Sequence, residues 1–128
     1  SPSLVTGTVA FNLDPLGVAG EERMVQVLAQ VGLARLSSST DLQEAGLSAA
    51  EAQCLGLARA LLRVRDDSIV LIDEVGARTD EAVLRTITDC IMALPRSVTI
   101  MAIMHQVVGK FDRVVELAAG RICSDNLV

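Results

Sequence analysis

Residues 68–74, Ser-Ile-Val-Leu-Ile-Asp-Glu, are the most constraining stretch of the chain: four β-prone aliphatic residues end on two adjacent carboxylates, Asp73 and Glu74. Arg65-Asp66-Asp67 precedes the run and Gly76 follows it, a pattern that predicts a short strand buried on both faces of a sheet. Such a strand delivers Asp73 and Glu74 to the carboxyl edge, where open α/β sheets bind their ligands. A buried strand must also end somewhere, and acidic residues commonly mark the turn. The run alone does not choose between these two meanings.

Its surroundings narrow the choice. With 128 residues the chain is long enough for one domain with a real core. Half of it is hydrophobic (51%), yet aromatics make up only 2% and Trp and Tyr are missing, so the core is aliphatic and no stacking platform for bases is available. The net charge of −5, with both signs interspersed, leaves no basic face to neutralise a phosphate backbone, which argues against nucleic acid as a partner. Cys54, Cys90 and Cys123 are odd in number and widely spaced, forming neither a metal pattern nor a disulfide framework. They read as small buried hydrophobes in a reducing compartment. No apolar run reaches the length of a membrane span, and the N-terminus lacks the layout of a signal peptide. A mean hydropathy of +0.47 nevertheless argues for apolar surface intended for a partner.

Taken in order, Thr6 to Pro15 reads as the middle of something larger. Met24, Leu28 and Val31, with Val25 and Val27 beside them, predict a helix between Glu21 and Leu36, followed by a polar loop at residues 37–40. Ser48 and Glu51 have the S-x-x-E spacing of a capping box and open a second helix that runs through Leu55, Ala58 and Leu61 to Leu62. A third helix starts near Asp80, carries Leu84, Ile87, Ile91 and Leu94 on one stripe, and is closed by Pro95. Residues 97–103 predict a second buried strand ending near His105, the only histidine. Residues 113–117 predict a third strand, with Gly120 turning the chain into Arg121-Ile122-Cys123. Alternating helix and strand after residue 47 make the fold class α/β, a sheet with crossover helices.

If the strands ending at Glu74 and Ile103 run parallel as neighbours, the carboxylate pair and His105 fall on one edge. That combination suits nucleotide hydrolysis. Asp73 would hold Mg²⁺ through water. Glu74 would polarise an attacking water, and His105 would meet charge developing on a terminal phosphate.

The order of these features resembles the ATP-binding cassette (ABC) ATPases over nearly the whole chain. Residues 47–53, Leu-Ser-Ala-Ala-Glu-Ala-Gln, followed by Leu57-Ala58-Arg59-Ala60-Leu61-Leu62, are similar to the signature motif LSGGQ-x-Q and its helix. Residues 69–74 resemble Walker B with its catalytic glutamate, Ala77-Arg78-Thr79-Asp80 stands in the place of the D-loop, and His105 in that of the switch histidine. Residues 112–122 are similar to the closing D-R-V-x-x-L-x-x-G-R-I segment, and residues 6–15 to the SGTVRFNLDP pattern of the C subfamily, the multidrug-resistance-protein type.

The resemblance implies a partial P-loop NTPase (RecA-like) sheet with helices plus the family's α-helical subdomain, residues 14–63 forming the helical, signature part and residues 64–128 the part from Walker B to the switch histidine. It implies catalytic roles for Glu74 and His105, Mg²⁺ at Asp73, and nucleotide contacts in trans from Ser48, Ala49, Ala50 and Glu51, with Asp80 in communication between sites. ATP and Mg²⁺ are then the ligands of the intact protein. A second nucleotide-binding domain and transmembrane domains are its partners, at the cytoplasmic face of a membrane. A non-transport ATPase of the same class and a non-catalytic module that pairs with a complete domain are the competing expectations.

Two departures qualify this. No G-x-x-x-x-G-K-[ST] occurs, so the phosphate-cradling loop is absent from these residues and the isolated segment is expected to bind no ATP. In the family's topology the strand leading to that loop lies between the strand near Ile103 and the one at residues 113–117. A gap with exposed aliphatic surface is expected there, compensated by a homodimer, strand exchange or local disorder. The signature also has Ala49 and Ala50 for two glycines and Glu51 for glutamine, which is expected to weaken the composite site through lost backbone freedom and an added negative charge.

Overall fold

In a computed structural model, residues 3–75, 80–107 and 109–128 are described, the side chains of Glu74 and Val75 excepted. Five helices and four strands follow in order: α1 (Val9–Leu13), α2 (Glu21–Gln30), α3 (Leu42–Ala45), α4 (Ala49–Arg63), β1 (Ile69–Val75), α5 (Glu81–Met92), β2 (Thr99–Met104), β3 (Arg113–Ala118) and β4 (Arg121–Leu127).

The helices start where short polar side chains satisfy their first amides. Thr8 Oγ1 accepts from Phe11 N at the head of α1, Asp41 from Gln43 N and Glu44 N at α3, and Asp80 from Ala82 N at α5. Ser48 and Glu51 form the reciprocal capping box that their spacing predicts. The predicted helix from Glu21 to Leu36 is shorter than expected. Gly32, at φ +78°, takes a left-handed conformation that ends α2, and Leu33 N donates back to the Leu28 carbonyl at 2.8 Å. Leu33 and Leu36 then enter the core from a loop instead of a helical stripe.

The core is assembled mainly from the first half of the chain. Val9 and Leu13 of α1, Val27 and Leu28 of α2, Leu33, and Leu55 and Ala58 of α4 are essentially sealed from solvent, and Val83 of α5 joins the same cluster. α4 is central: it packs on α1, α2 and α5. Burying a leucine of this kind stabilises by about 1.5–3 kcal/mol. Asn12 is the polar exception inside the cluster. Its amide nitrogen donates to the Val5 and Thr8 carbonyls at 2.9 and 3.1 Å, and its oxygen accepts from Val5 N at 2.9 Å. Arg59 of α4 donates to the Asn12 carbonyl at 2.7 Å and to the Ser3 carbonyl at 3.0 Å, fastening the N-terminal segment to that helix.

α5 connects β1 to β2, which pair in parallel from Ile69 opposite Thr99 to Val75 opposite Met104, the crossover unit expected of an α/β fold. One expectation fails here. Burial of β1 on both faces is not observed: Ile69 and Leu71 are 69% and 72% exposed, and Met101 and Ile103 on the same face of β2 are 62% and 61% exposed. The opposite face, with Val70, Ile72, Ile100 and Ala102, is half-buried, so only one face of this sheet is shielded. The third predicted strand lies outside this sheet. β3 pairs antiparallel with β4 in a separate hairpin, turned by Ala119 and Gly120, both at positive φ as a tight two-residue turn requires. β2 and β3 are therefore not hydrogen-bonded neighbours, and the exposed face of the β1–β2 sheet is aliphatic.

The cysteines are not uniformly the buried hydrophobes expected. Cys54 is buried, Cys90 is half-buried, and Cys123 is exposed because the hairpin that carries it is uncovered. Among the described residues no helix is long and apolar enough to cross a membrane.

Candidate functional site

Parallel pairing puts the carboxyl ends of β1 and β2 on one edge. Ile72 stands opposite Ala102 and Val75 opposite Met104, so Asp73 and Glu74 together face the single residue Ile103. One extra residue has been taken into β1 at the carboxylate pair: a β-bulge, the device by which a strand re-aims side chains at its end. The Asp73 side chain is exposed. Glu74 lies within the strand, and its side chain is outside the described residues. His105 follows β2 in an exposed bend at the same edge. Asp80 caps α5, its Oδ1 accepting from Ala82 N at 2.8 Å. Ala77, Arg78 and Thr79, which stand in the place of the D-loop, lie outside the described residues.

The chemistry of this edge is that of a half-site. Among the described residues no group of three histidine, cysteine or acidic side chains converges to hold a metal. Asp73 contributes one carboxylate, which fits Mg²⁺ only where waters and phosphate oxygens complete its coordination.

Ser48, Ala49, Ala50 and Glu51 form a second locus at the head of α4. Ser48 Oγ accepts from Glu51 N at 3.1 Å, and Glu51 Oε2 accepts from Ser48 N at 3.0 Å. Ala49 opens the helix, and Ala119 is the one residue other than glycine with positive φ among those described, so the two alanines that replace glycines sit here without backbone strain. The charge expected to disfavour an anion is also balanced: Glu51 Oε1 accepts from Arg35 Nε at 2.9 Å and lies 2.8 Å from Arg35 Nη2. The Ser48 backbone N–H and then the Arg35 guanidinium hold the Glu51 carboxyl below its ordinary range. Arg35 is a residue that sequence reasoning missed. It pairs across 16 positions from a loop, and no local pattern signals such a contact.

Between residues 4–6 and 42–47 lies an open cleft of about 430 Å³, lined by Leu4, Val5, Thr6, Leu42, Gln43 and Leu47 among others. It carries no charged side chain, so it offers grip without acid–base chemistry.

No protein-family profile matches the chain. Individual relatives do, along nearly all of it. The chain is 33% identical over 133 residues to ABC multidrug transporter B of Aspergillus fumigatus, an alignment covering 95% of this chain and 9% of that protein. It is 34% identical over 130 residues to ATP-binding cassette sub-family C member 10 of Mus musculus, covering 94% of this chain and 8% of the relative. It is 32% identical over 133 residues to methionine import ATP-binding protein MetN 1 of Paraburkholderia xenovorans, covering 100% of this chain and 38% of the relative. The relatives are thus transporters of the ATP-binding cassette type and ATP-binding proteins of import systems, and the chain spans a tenth or less of the eukaryotic ones.

Proposed function

We propose that this chain forms part of the ATP-binding and hydrolysing domain of an ATP-binding cassette transporter, an exporter of the C-subfamily type, with the strand architecture of a P-loop NTPase. The parallel pairing of β1 with β2 carries the reading: Asp73, Glu74 and His105 end on one edge of a sheet, and the relatives that align along the chain are transport proteins named for ATP binding or the ATP-binding cassette.

In this reading Asp73 orients the waters of a Mg²⁺–ATP complex and Glu74 takes a proton from the attacking water. His105 donates toward the terminal phosphate as charge develops there. A phosphate-cradling loop supplied by another segment holds the nucleotide, with Mg²⁺ screening its oxygens. The Ser48–Glu51 turn addresses the site of a second nucleotide-binding domain, and Asp80 at the head of α5 links the two sites. Transmembrane domains convert the cycle into transport at the cytoplasmic face of a membrane.

The test is ATP turnover by the full-length protein carrying Glu74→Gln or His105→Ala. Loss of general-base assistance is expected to slow turnover by about 10²–10⁴-fold for Glu74→Gln. Turnover equal to that of the unmodified protein in both variants refutes the reading.

A further inference from the structure

The chain that follows β2 is thinly supported: His105, Gln106, Val107, Gly109 and Lys110 are all exposed. Gly109 nevertheless lies beside α5. Its φ is +102°, in the region that favours glycine, and a Cβ added to it would stand 3.1 Å from Thr88 Cγ2 and 3.5 Å from Met92 Sδ and Cε. Carbon atoms rest about 3.5–4.0 Å apart, so the first of these contacts is too tight by a few tenths of an ångström. The Thr88 methyl has little freedom to give way, because the residue is buried and its hydroxyl donates to the Leu84 carbonyl at 2.8 Å. Met92, with its flexible thioether, yields more easily.

We propose that Gly109 is a positioning residue for His105: without a side chain at 109 the strand's exit lies against Thr88 of α5, and this seat fixes where the histidine stands on the edge it shares with Asp73 and Glu74. The inference rests on the reading above, in which His105 meets the terminal phosphate. α5 is also the helix that connects β1 to β2, so the seat ties the histidine to the element that joins the two strands of the site. A Cβ at 109 disturbs this in two ways. It strains the backbone at φ +102°, and it lifts the chain away from the Thr88 methyl. At the far end of the same loop Arg96 pairs with Asp112 at 3.2 Å, but both side chains are exposed and such a pair is worth too little to replace the seat.

Steady-state ATP turnover by the full-length protein tests this with Gly109→Ala, Thr88→Ser, the two combined, and His105→Ala alongside. Misplacing a positioned group by about 1 Å costs about 10²-fold in rate, so a shift of a few tenths is expected to lower kcat about threefold to tenfold in Gly109→Ala, with KM for ATP unchanged. Thr88→Ser keeps the hydroxyl that bonds Leu84 and removes the methyl, and alone is expected to leave turnover unchanged. Added to Gly109→Ala, it gives the new Cβ its room, and kcat is expected to recover in part, the remaining loss reflecting the strained φ. The combined variant also carries the test if Gly109→Ala alone does not fold. Loss of turnover in His105→Ala with none in Gly109→Ala, or no recovery in a folded combined variant, overturns the seat and leaves the role of His105 standing. Unchanged turnover in His105→Ala overturns that role, and the seat with it.

Discussion

Replacing Asn12 tests how the N-terminal segment is held to the rest of the molecule. The side chain is 3% exposed and closes a ring of contacts: two donations to the Val5 and Thr8 carbonyls, one acceptance from Val5 N, and a long approach of 3.5 Å from Arg59 Nη2. Asn12→Ala removes all of them from a sealed position. At about 1 kcal/mol per net hydrogen bond, reduced where Val5 can turn to water, the expected loss is about 2–3 kcal/mol. Asn12→Asp keeps the acceptor for Val5 N but sets a carboxylate oxygen against the Val5 and Thr8 carbonyls in a sealed position, so a loss at least as large as that of the alanine is expected. Urea unfolding of the two variants, fitted with a common slope, measures both numbers. A cost below about 0.5 kcal/mol for Asn12→Ala, or a clearly smaller cost for the aspartate than for the alanine, refutes this account of the anchor.

Further outcomes follow from the core, the cap and the open sheet. Leu55→Ala, at a fully sealed position of α4, is expected to cost about 2–5 kcal/mol in the same assay. Ser48→Ala is expected to cost about 1 kcal/mol by stripping the cap from α4. Because the folded carboxyl of Glu51 titrates below its ordinary value of 4.5, its contribution is present above that pH and is lost as pH falls through the lowered folded value. Unfolding midpoints measured downward from pH 5 should therefore fall more steeply for the unmodified chain than for Glu51→Gln. Leu71→Lys with Met101→Lys charges the exposed face of the β1–β2 sheet, and light scattering should show less self-association with little change in unfolding midpoint; an unchanged scattering profile argues that this face is not adhesive.

The parts that the sequence disclosed are those whose cause is local. Ser48 and Asp80 start helices because a short polar side chain reaches amides two or three residues on, and that spacing is visible in the letters. The strand at residues 69–75 and the turn at Gly120 are visible for similar reasons. The end of α2 was hidden because Val31, Leu33 and Leu36 keep an apolar rhythm through Gly32, and only the positive φ of that glycine shows that the helix has stopped. The short helix α1 is held by packing against α4 and by backbone bonds such as Val9 N to the Thr40 carbonyl at 2.8 Å, which no window of sequence contains. An aliphatic run cannot say how many layers will cover it, so the one-sided burial of β1 was equally hidden. At the candidate site, the residue types at Asp73, Glu74 and His105 were legible. Their common edge needed the parallel register, and Arg35 needed the fold.

The distribution of the core along the chain has a consequence for the order in which the molecule is made. Every member of the buried cluster except Val83 lies between Val9 and Leu61, and the strand bearing Asp73 comes after them. During synthesis, which runs from the N-terminus at about 5–20 residues per second, α1 to α4 can consolidate while β1 is still inside the ribosome. The aliphatic strands then emerge beside a surface that is already built, with α5 laid down between them before β2 arrives. Vectorial synthesis would in this way shelter the stickiest part of the chain until its neighbours exist, a protection that refolding from denaturant does not provide.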